Sequence, residues 1–219
     1  MKFRKPQLVP VLFIIFSTMV SSTLGSWQVE RLEWKNKLTA EIDAAQSKPP
    51  LSNYEAAENY RKAEISGTFL HDKSIHMVGR PRENTQGFFI LTPLKLTDDS
   101  MLLVNRGWAP KGAKLDLPEA ATIKGVLRPA RQKRYFSPTN QPEKNVWFFE
   151  DMDEISAFTG VKLLPLVLES TEKQQKNVYP APGDGKISLR NDHLGYAITW
   201  FALAATGLIM FGLYHRKPE

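Results

Sequence analysis

Leu194–Tyr214 reads LGYAITWFALAATGLIMFGLY, 21 residues without one charged side chain. A bilayer core of roughly 30 Å is crossed by about 20 apolar residues of helix, so this run predicts a transmembrane helix. Tyr196 and Trp200 near one end and Tyr214 at the other stand where aromatic belts meet the two membrane surfaces. Working outward, Pro6–Val29 is also uncharged, over 24 residues. Its apolar part, LVPVLFIIFSTMVSSTL, is shorter and turns polar through Ser17, Thr18, Ser21, Ser22 and Thr23. A cleaved signal peptide competes with a retained span here, because Lys2, Arg4 and Lys5 make a basic leader. The retained span is favoured: no small-x-small cleavage site is clear, and Trp27 follows as an interfacial anchor.

The charges orient the chain. The N-terminal tail carries Lys2, Arg4 and Lys5, and the C-terminal tail carries Arg216, Lys217 and Glu219. The middle, Gly25–Asp192, holds 24 basic and 22 acidic residues, so most of the net charge of +6 lies in the two tails. The positive-inside rule puts both tails on the cytoplasmic or matrix side and the middle on the other. A pI of 9.4 that rests mostly on the tails is poor evidence for nucleic acid, which needs a basic stripe on the folded domain. With no cysteine, the outside domain has no disulfide, no thiolate metal site and no C-x-x-C-H haem attachment, and it folds on its own core.

Ser26–Ala45 predicts a helix continuing out of the first span: Trp27, Leu32, Trp34, Leu38 and Ile42 recur at helical spacing among charges. Lys48-Pro49-Pro50 ends it, and a short polar helix is expected around Tyr54–Tyr60. Then come strands: RKAEISGTFL, SIHMVGR, GFFILTPLKL, MLLVNRGWAP, ATIKGVLRPA, NVWFFEDM and LLPLVLES. Pro81, Pro93, Pro110 and Pro129 are read as breakers at strand ends, and the spacing predicts a mainly antiparallel sheet curled toward a barrel. Trp108 and Trp147 are read as core anchors. DMDEISAFTG predicts one late helix with an acidic first turn and a terminal glycine. Ser170–Lys186 is the one long loop of low hydrophobicity.

Catalytic signatures are missing: there is no G-x-S-x-G, no H-E-x-x-H and no glycine-rich phosphate loop. His71 and His76 are five residues apart in an expected hairpin and are read as loop histidines rather than a metal pair. Asp98-Asp99 and Glu150-Asp151 are read as solvated or capping carboxylates at turns and a helix start. His193 stands out at the outer lip of the second span, where an ionisable residue points to function. On a helix it aligns with Tyr196, Ala197, Trp200, Ala204 and Gly207, a stripe that admits a flat apolar ring with the imidazole reaching a central metal. Helix packing through Ala204 and Gly207 is the competing use of that stripe.

The chain carries Gly25-Ser26-Trp27-Gln28 with Arg31-Leu32-Glu33-Trp34-Lys35, Gly87-Phe88-Phe89 with Thr92-Pro93-Leu94, and Leu103-Val104-Asn105-Arg106-Gly107-Trp108. Gly125-Val126-Leu127-Arg128, Phe136-Ser137-Pro138, Asn145-Val146-Trp147-Phe148 and Asn191-Asp192-His193-Leu194 with Tyr196-Ala197-Ile198-Thr199-Trp200-Phe201 follow. In this order, from about Gly25 to Phe201, these segments resemble the surfeit locus protein one family of cytochrome c oxidase assembly factors. The Val-Asn-Arg-Gly-Trp and Asn-x-His-Leu-x-Tyr-Ala-x-Thr-Trp motifs are specific together. Gly195 departs from the family pattern, which often has a larger polar residue there.

The resemblance implies a membrane protein with two transmembrane helices, N- and C-terminal, flanking a mainly antiparallel β (α+β) extracytoplasmic domain. The expected boundaries are 1–7 for a cytoplasmic tail, 8–26 for the first span, 27–192 for the domain, 193–214 for the second span and 215–219 for the second tail. It also implies a non-enzymatic role in assembling haem-copper oxidase at the haem a step. The metal ligand would be His193, with Tyr196 and Trp200 packing on the porphyrin and Arg190, one helical turn earlier, pairing with a propionate. The implied partners are the oxidase core subunit and haem a synthase. A cofactor-free scaffold clamping an oxidase subunit is the alternative. A chain opening close to its first span, without an arginine-rich leader, sets the expected location in a bacterial inner membrane with the domain periplasmic.

Overall fold

The computed structural model describes residues 7–54, 59–79, 81, 84–171, 178–185, 187 and 189–216. Two helices long and apolar enough to cross a membrane, α1 (Leu8–Ser47) and α3 (His193–His215), flank a sheet domain. The chain is a membrane protein of the expected class. The first span and the following amphipathic segment are one continuous helix, since nothing between Thr23 and Ser47 breaks it and Pro49 stops it. The helix expected at 54–60 falls largely outside the described residues, as do residues 172–177 and 186 of the 170–186 loop and Lys2, Arg4, Lys5 and Lys217 of the tails.

Residues 42–187 form one compact unit. Its strands are β1 (Lys62–Phe69), β2 (Ile75–Val78), β3 (Gly87–Lys95), β4 (Met101–Pro110), β5 (Ala120–Pro129), β6 (Val146–Trp147) and β7 (Leu163–Ser170). Strand β1 pairs with β5, β5 with β7, β7 with β4 and β4 with β3, and β3 returns to β1 through Thr68↔Lys95 and Phe69↔Leu94. The five strands thus close into a small barrel, with β2 and β6 extending from β3. All ladders are antiparallel except β4 with β7 and β2 with β6.

Alternation along the strands fills two cores. Leu102 and Val104 of β4 point with Ile65, Phe69, Leu94, Ile123, Leu127 and Leu168 into the barrel. Leu103 between them faces outward and packs with Ile75, Leu91, Trp147 and Val167 beneath Ile155 of α2 (Met152–Thr159). With both faces covered, β4 reads as an apolar run instead of an alternating one. Helix α2 is capped as its sequence predicts: Asp151 accepts from the backbone of Asp153 and Glu154, and Gly160 adopts the left-handed conformation at the end.

Three expectations are corrected. Pro93 lies inside β3, paired with Leu103, and does not end a strand. It sits where β3 exchanges β2 for β1 as neighbour, so the missing N–H leaves no ladder bond open, while its carbonyl accepts from Leu70 at 2.9 Å. NVWFFEDM supplies a strand of only two residues: the Phe148 and Phe149 amides turn instead to Asn140 Oδ1 at 2.9 and 3.3 Å. Glu150, read as solvated or capping, is buried and holds Arg128 in a bidentate pair at 2.5 Å. Trp147 and Trp108 are both buried as expected, Trp147 edge-on to Phe158 and Trp108 against Tyr179.

Candidate functional site

The site grows from the start of α3. Asp192 precedes the first helical turn, and His193 is its first residue. Opposite, on α1, half-buried or buried residues recur every three to four positions: Ile14, Ser17, Thr18, Ser21, Gly25, Gln28, Leu32 and Lys35. Most are small or polar, as helices that approach closely in a membrane require. On α3 the matching positions are Ala197, Ala204 and Gly207. A Cβ at Gly25 would stand 2.8 Å from the Phe201 ring, and one at Gly207 3.1 Å from Ile14 Cδ1. The two helices therefore meet along a seam that has no room for larger side chains at these points.

At the His193 end of that seam, α1 grips the segment leading into α3. Lys35 and Asn36 lie about two helical turns beyond Gln28 on the same side of α1. His193 Nδ1 lies 2.6 Å from Gln28 Oε1, Lys35 Nζ donates to the Arg190 carbonyl, and Asn191 Nδ2 donates to Asn36 Oδ1 at 3.0 Å. The glutamine oxygen only accepts, so Nδ1 is the nitrogen that donates, and in the neutral tautomer with this bond the lone pair falls on Nε2. No hydrogen bond reaches Nε2 among the described residues. The aromatic neighbour of the imidazole is Trp27, edge-on at 6.5 Å.

The residues expected around His193 are brought together only in part. Trp200 is half-buried, whereas Tyr196 is 57% exposed and free to meet a ligand or lipid. Arg190 is not one turn earlier on the helix, because α3 begins at His193; its side chain is exposed and pairs with Asp192. Asp192 in turn makes no side-chain cap. The sequence does not mark Gln28, Lys35 and Asn36 as site residues, since bonds joining residues more than 150 apart leave no trace in local periodicity.

The histidines of the sheet domain do not converge. His71 Nε2 donates to the Pro118 carbonyl at 3.1 Å and Nδ1 accepts from Arg106 at 3.4 Å. His76, on β2, lines a cleft of about 490 Å³ with Phe88, Ile90, Lys111, Lys144 and Val146. Desolvation holds its pKa below the ordinary histidine value. Among the described residues no group of three histidine or carboxylate side chains could hold a metal ion.

The sequence model of the SURF1 family matches residues 15–205. A SURF1-like protein of Rickettsia conorii is 31% identical over 219 residues, covering 94% of this chain and 90% of that protein. Surfeit locus protein 1 of Homo sapiens is 30% identical over 226 residues, covering 88% of this chain and 73% of that protein. The matched span runs through the α1 seam, the barrel and the His193 lip alike, and the chain belongs to the SURF1 family.

Proposed function

We propose that this chain is a non-enzymatic assembly factor of haem-copper cytochrome c oxidase that binds haem a through His193 and passes it to the oxidase core subunit. The observation that carries the reading is the imidazole at the lip of the second span, with Nδ1 engaged by Gln28 and Nε2 free of hydrogen bonds. The donor set fits the group: a neutral imidazole with an unshared lone pair is what a haem iron takes as an axial ligand. Bound there, the iron would supply only ligation. His193 would hold it, Trp200 and the exposed Tyr196 would border the ring, and Arg190 would reach a propionate by exchanging its Asp192 partner. Haem a synthase is the natural donor and the core subunit the acceptor. Two helices apolar enough to cross a membrane and a bacterial relative support a bacterial inner membrane, and the tail charges support a periplasmic domain.

A cofactor-free scaffold is the second reading. Its support is that Ala197 and Ala204, on the stripe below His193, are buried in the helix hairpin. Anaerobic purification of the full chain from cells that make haem a separates the two. A Soret band that His193→Ala abolishes or shifts, with circular dichroism and membrane insertion unchanged, supports ligation. An unaltered spectrum in that variant sinks the ligand assignment and leaves the scaffold. Asp192→Asn is expected to retain the band, because the Asp192 carboxylate turns to Arg190.

A further inference from the structure

We propose that Gln28 is the positioning residue of the haem site: it fixes the tautomer and the plane of His193, so that the site belongs to both membrane helices. This rests on the reading of His193 as the ligand.

An imidazole at the first turn of a helix turns freely about two side-chain bonds and exists as two tautomers, only one of which offers Nε2 to a metal. A carbonyl-type oxygen 2.6 Å from Nδ1 selects the Nδ1–H form and aims the opposite nitrogen away from α1. The oxygen is itself well placed. Gln28 follows Gly25 by one turn, and the absence of a side chain at Gly25 lets the Phe201 ring approach α1. Lys35 and Asn36 hold Arg190 and Asn191 further along, so the residues before His193 cannot swing. Trp27, edge-on to the imidazole, closes one side. Ligand-orienting hydrogen bonds of this kind also make the donor nitrogen more basic. The amide is a weaker acceptor than a carboxylate, so Gln28 sets an intermediate electron donation to the iron.

The test uses the full chain in detergent, titrated with haem a. Gln28→Ala is expected to weaken binding about 10- to 100-fold, the usual loss for such a partner. Gln28→Glu is expected to restore binding to within a few fold of wild type and to shift the haem midpoint potential negative, because a carboxylate draws the Nδ1 proton further. A space-filling role alone would not move the potential in that direction. Before haem is added, 15N NMR of histidine-labelled protein, assigned with His193→Ala, is expected to show the Nδ1–H tautomer in wild type and a tautomer mixture in Gln28→Ala. Wild-type affinity and tautomer in Gln28→Ala, or loss of haem in Gln28→Glu as complete as in Gln28→Ala, would overturn the proposal while His193 stands as ligand. Retention of haem by His193→Ala would overturn the underlying reading itself.

Discussion

Arg128 on β5 grips both carboxylate oxygens of Glu150 at 2.5 Å through its two terminal nitrogens, with the Glu150 side chain fully shielded from solvent. Its Nε reaches Glu169 at 2.5 Å, and Glu169 also accepts from Asn105 at 2.7 Å. Burial by itself would lower the proton affinity of the guanidinium. The hydrogen bond and charge of Glu150, and then Glu169, outweigh it and raise its pKa. Removing one partner of a buried pair costs about 3–5 kcal/mol, because the other is left charged and dry. Arg128→Met leaves Glu150 buried without its cation and strips one of two cations from Glu169, which keeps Arg131 at 3.2 Å, and is expected near the top of that range. Glu150→Gln leaves Arg128 its Glu169 contact and is expected nearer the bottom. Chemical denaturation of the full chain in detergent checks the order, and the reverse order would refute it.

Gly107 shows why Val-Asn-Arg-Gly-Trp is built as it is. Its φ of +120° disfavours a side chain, and an added Cβ would stand 2.1 Å from the Ala181 carbonyl oxygen. That carbonyl accepts from Trp108 at 2.9 Å, and Ala181 donates back at 2.7 Å. Gly107→Ala must break this bridge and is expected to cost about 3 kcal/mol or more. Gly112 also has a positive φ but opens onto empty space, so Gly112→Ala is expected to cost only about 1 kcal/mol. Thermal unfolding of the two variants side by side tests the contrast.

Much of this was legible in the residues. Two uncharged runs announced the spans, and alternation with turn chemistry announced six of the strands and α2. What stayed hidden depends on long-range geometry. Two residue pairs, Thr68↔Lys95 and Phe69↔Leu94, turn a sheet into a closed barrel, and no local pattern marks them. Glu150 at a helix start looks like a cap until Arg128, 22 residues away, is brought to it. His193 was conspicuous because a histidine at a membrane lip is costly, whereas Gln28, an uncharged amide beside a tryptophan, costs little and drew no notice.

His76 makes stability depend on pH. Desolvation lowers its pKa in the folded chain below the ordinary 6.5, and the charged groups lining its cleft are Lys111 and Lys144. Above pH 6.5 the residue is neutral folded or unfolded, and stability is full. As pH falls through 6.5 the unfolded chain takes up the proton first, so stability declines until the folded-state pKa is passed. His76→Gln is expected to flatten the loss that sets in as pH falls below 6.5. A pH series of denaturation midpoints with identical slopes for both proteins would refute the assignment.

The absence of cysteine makes the helix seam directly testable. Ile14→Cys combined with Gly207→Cys places two thiols where the side chain of one residue already meets the backbone of the other. Mild oxidation in membranes is expected to join α1 and α3 within one chain, seen as faster electrophoretic migration reversed by reductant. Phe13→Cys with Gly207→Cys is the control, since Phe13 is 69% exposed and faces away from the seam. Equal cross-linking of both pairs would mean that the hairpin is not packed as described.

Topology gives the last test. Lys2, Arg4 and Lys5 precede the first span, and Arg216 and Lys217 follow the second. Flanking basic residues resist export, so the rule that reads them puts both tails on the cytoplasmic side. The two candidate spans among the described residues agree, because two crossings return the chain to the side it left. Reporter fusions after Lys5 and after Glu219 are expected to report cytoplasm, and one within residues 172–176 the far side. Exported signal from the C-terminal fusion would overturn the hairpin. Cleavage near Leu24 would remove most of the first span and, with it, the Ile14 to Gly207 contact. Gln28 would stay in the shortened chain beside a loosened helix end. In that case His193 would keep its partner but lose the packed seam that holds the partner still, and haem binding would weaken even with every site residue in place.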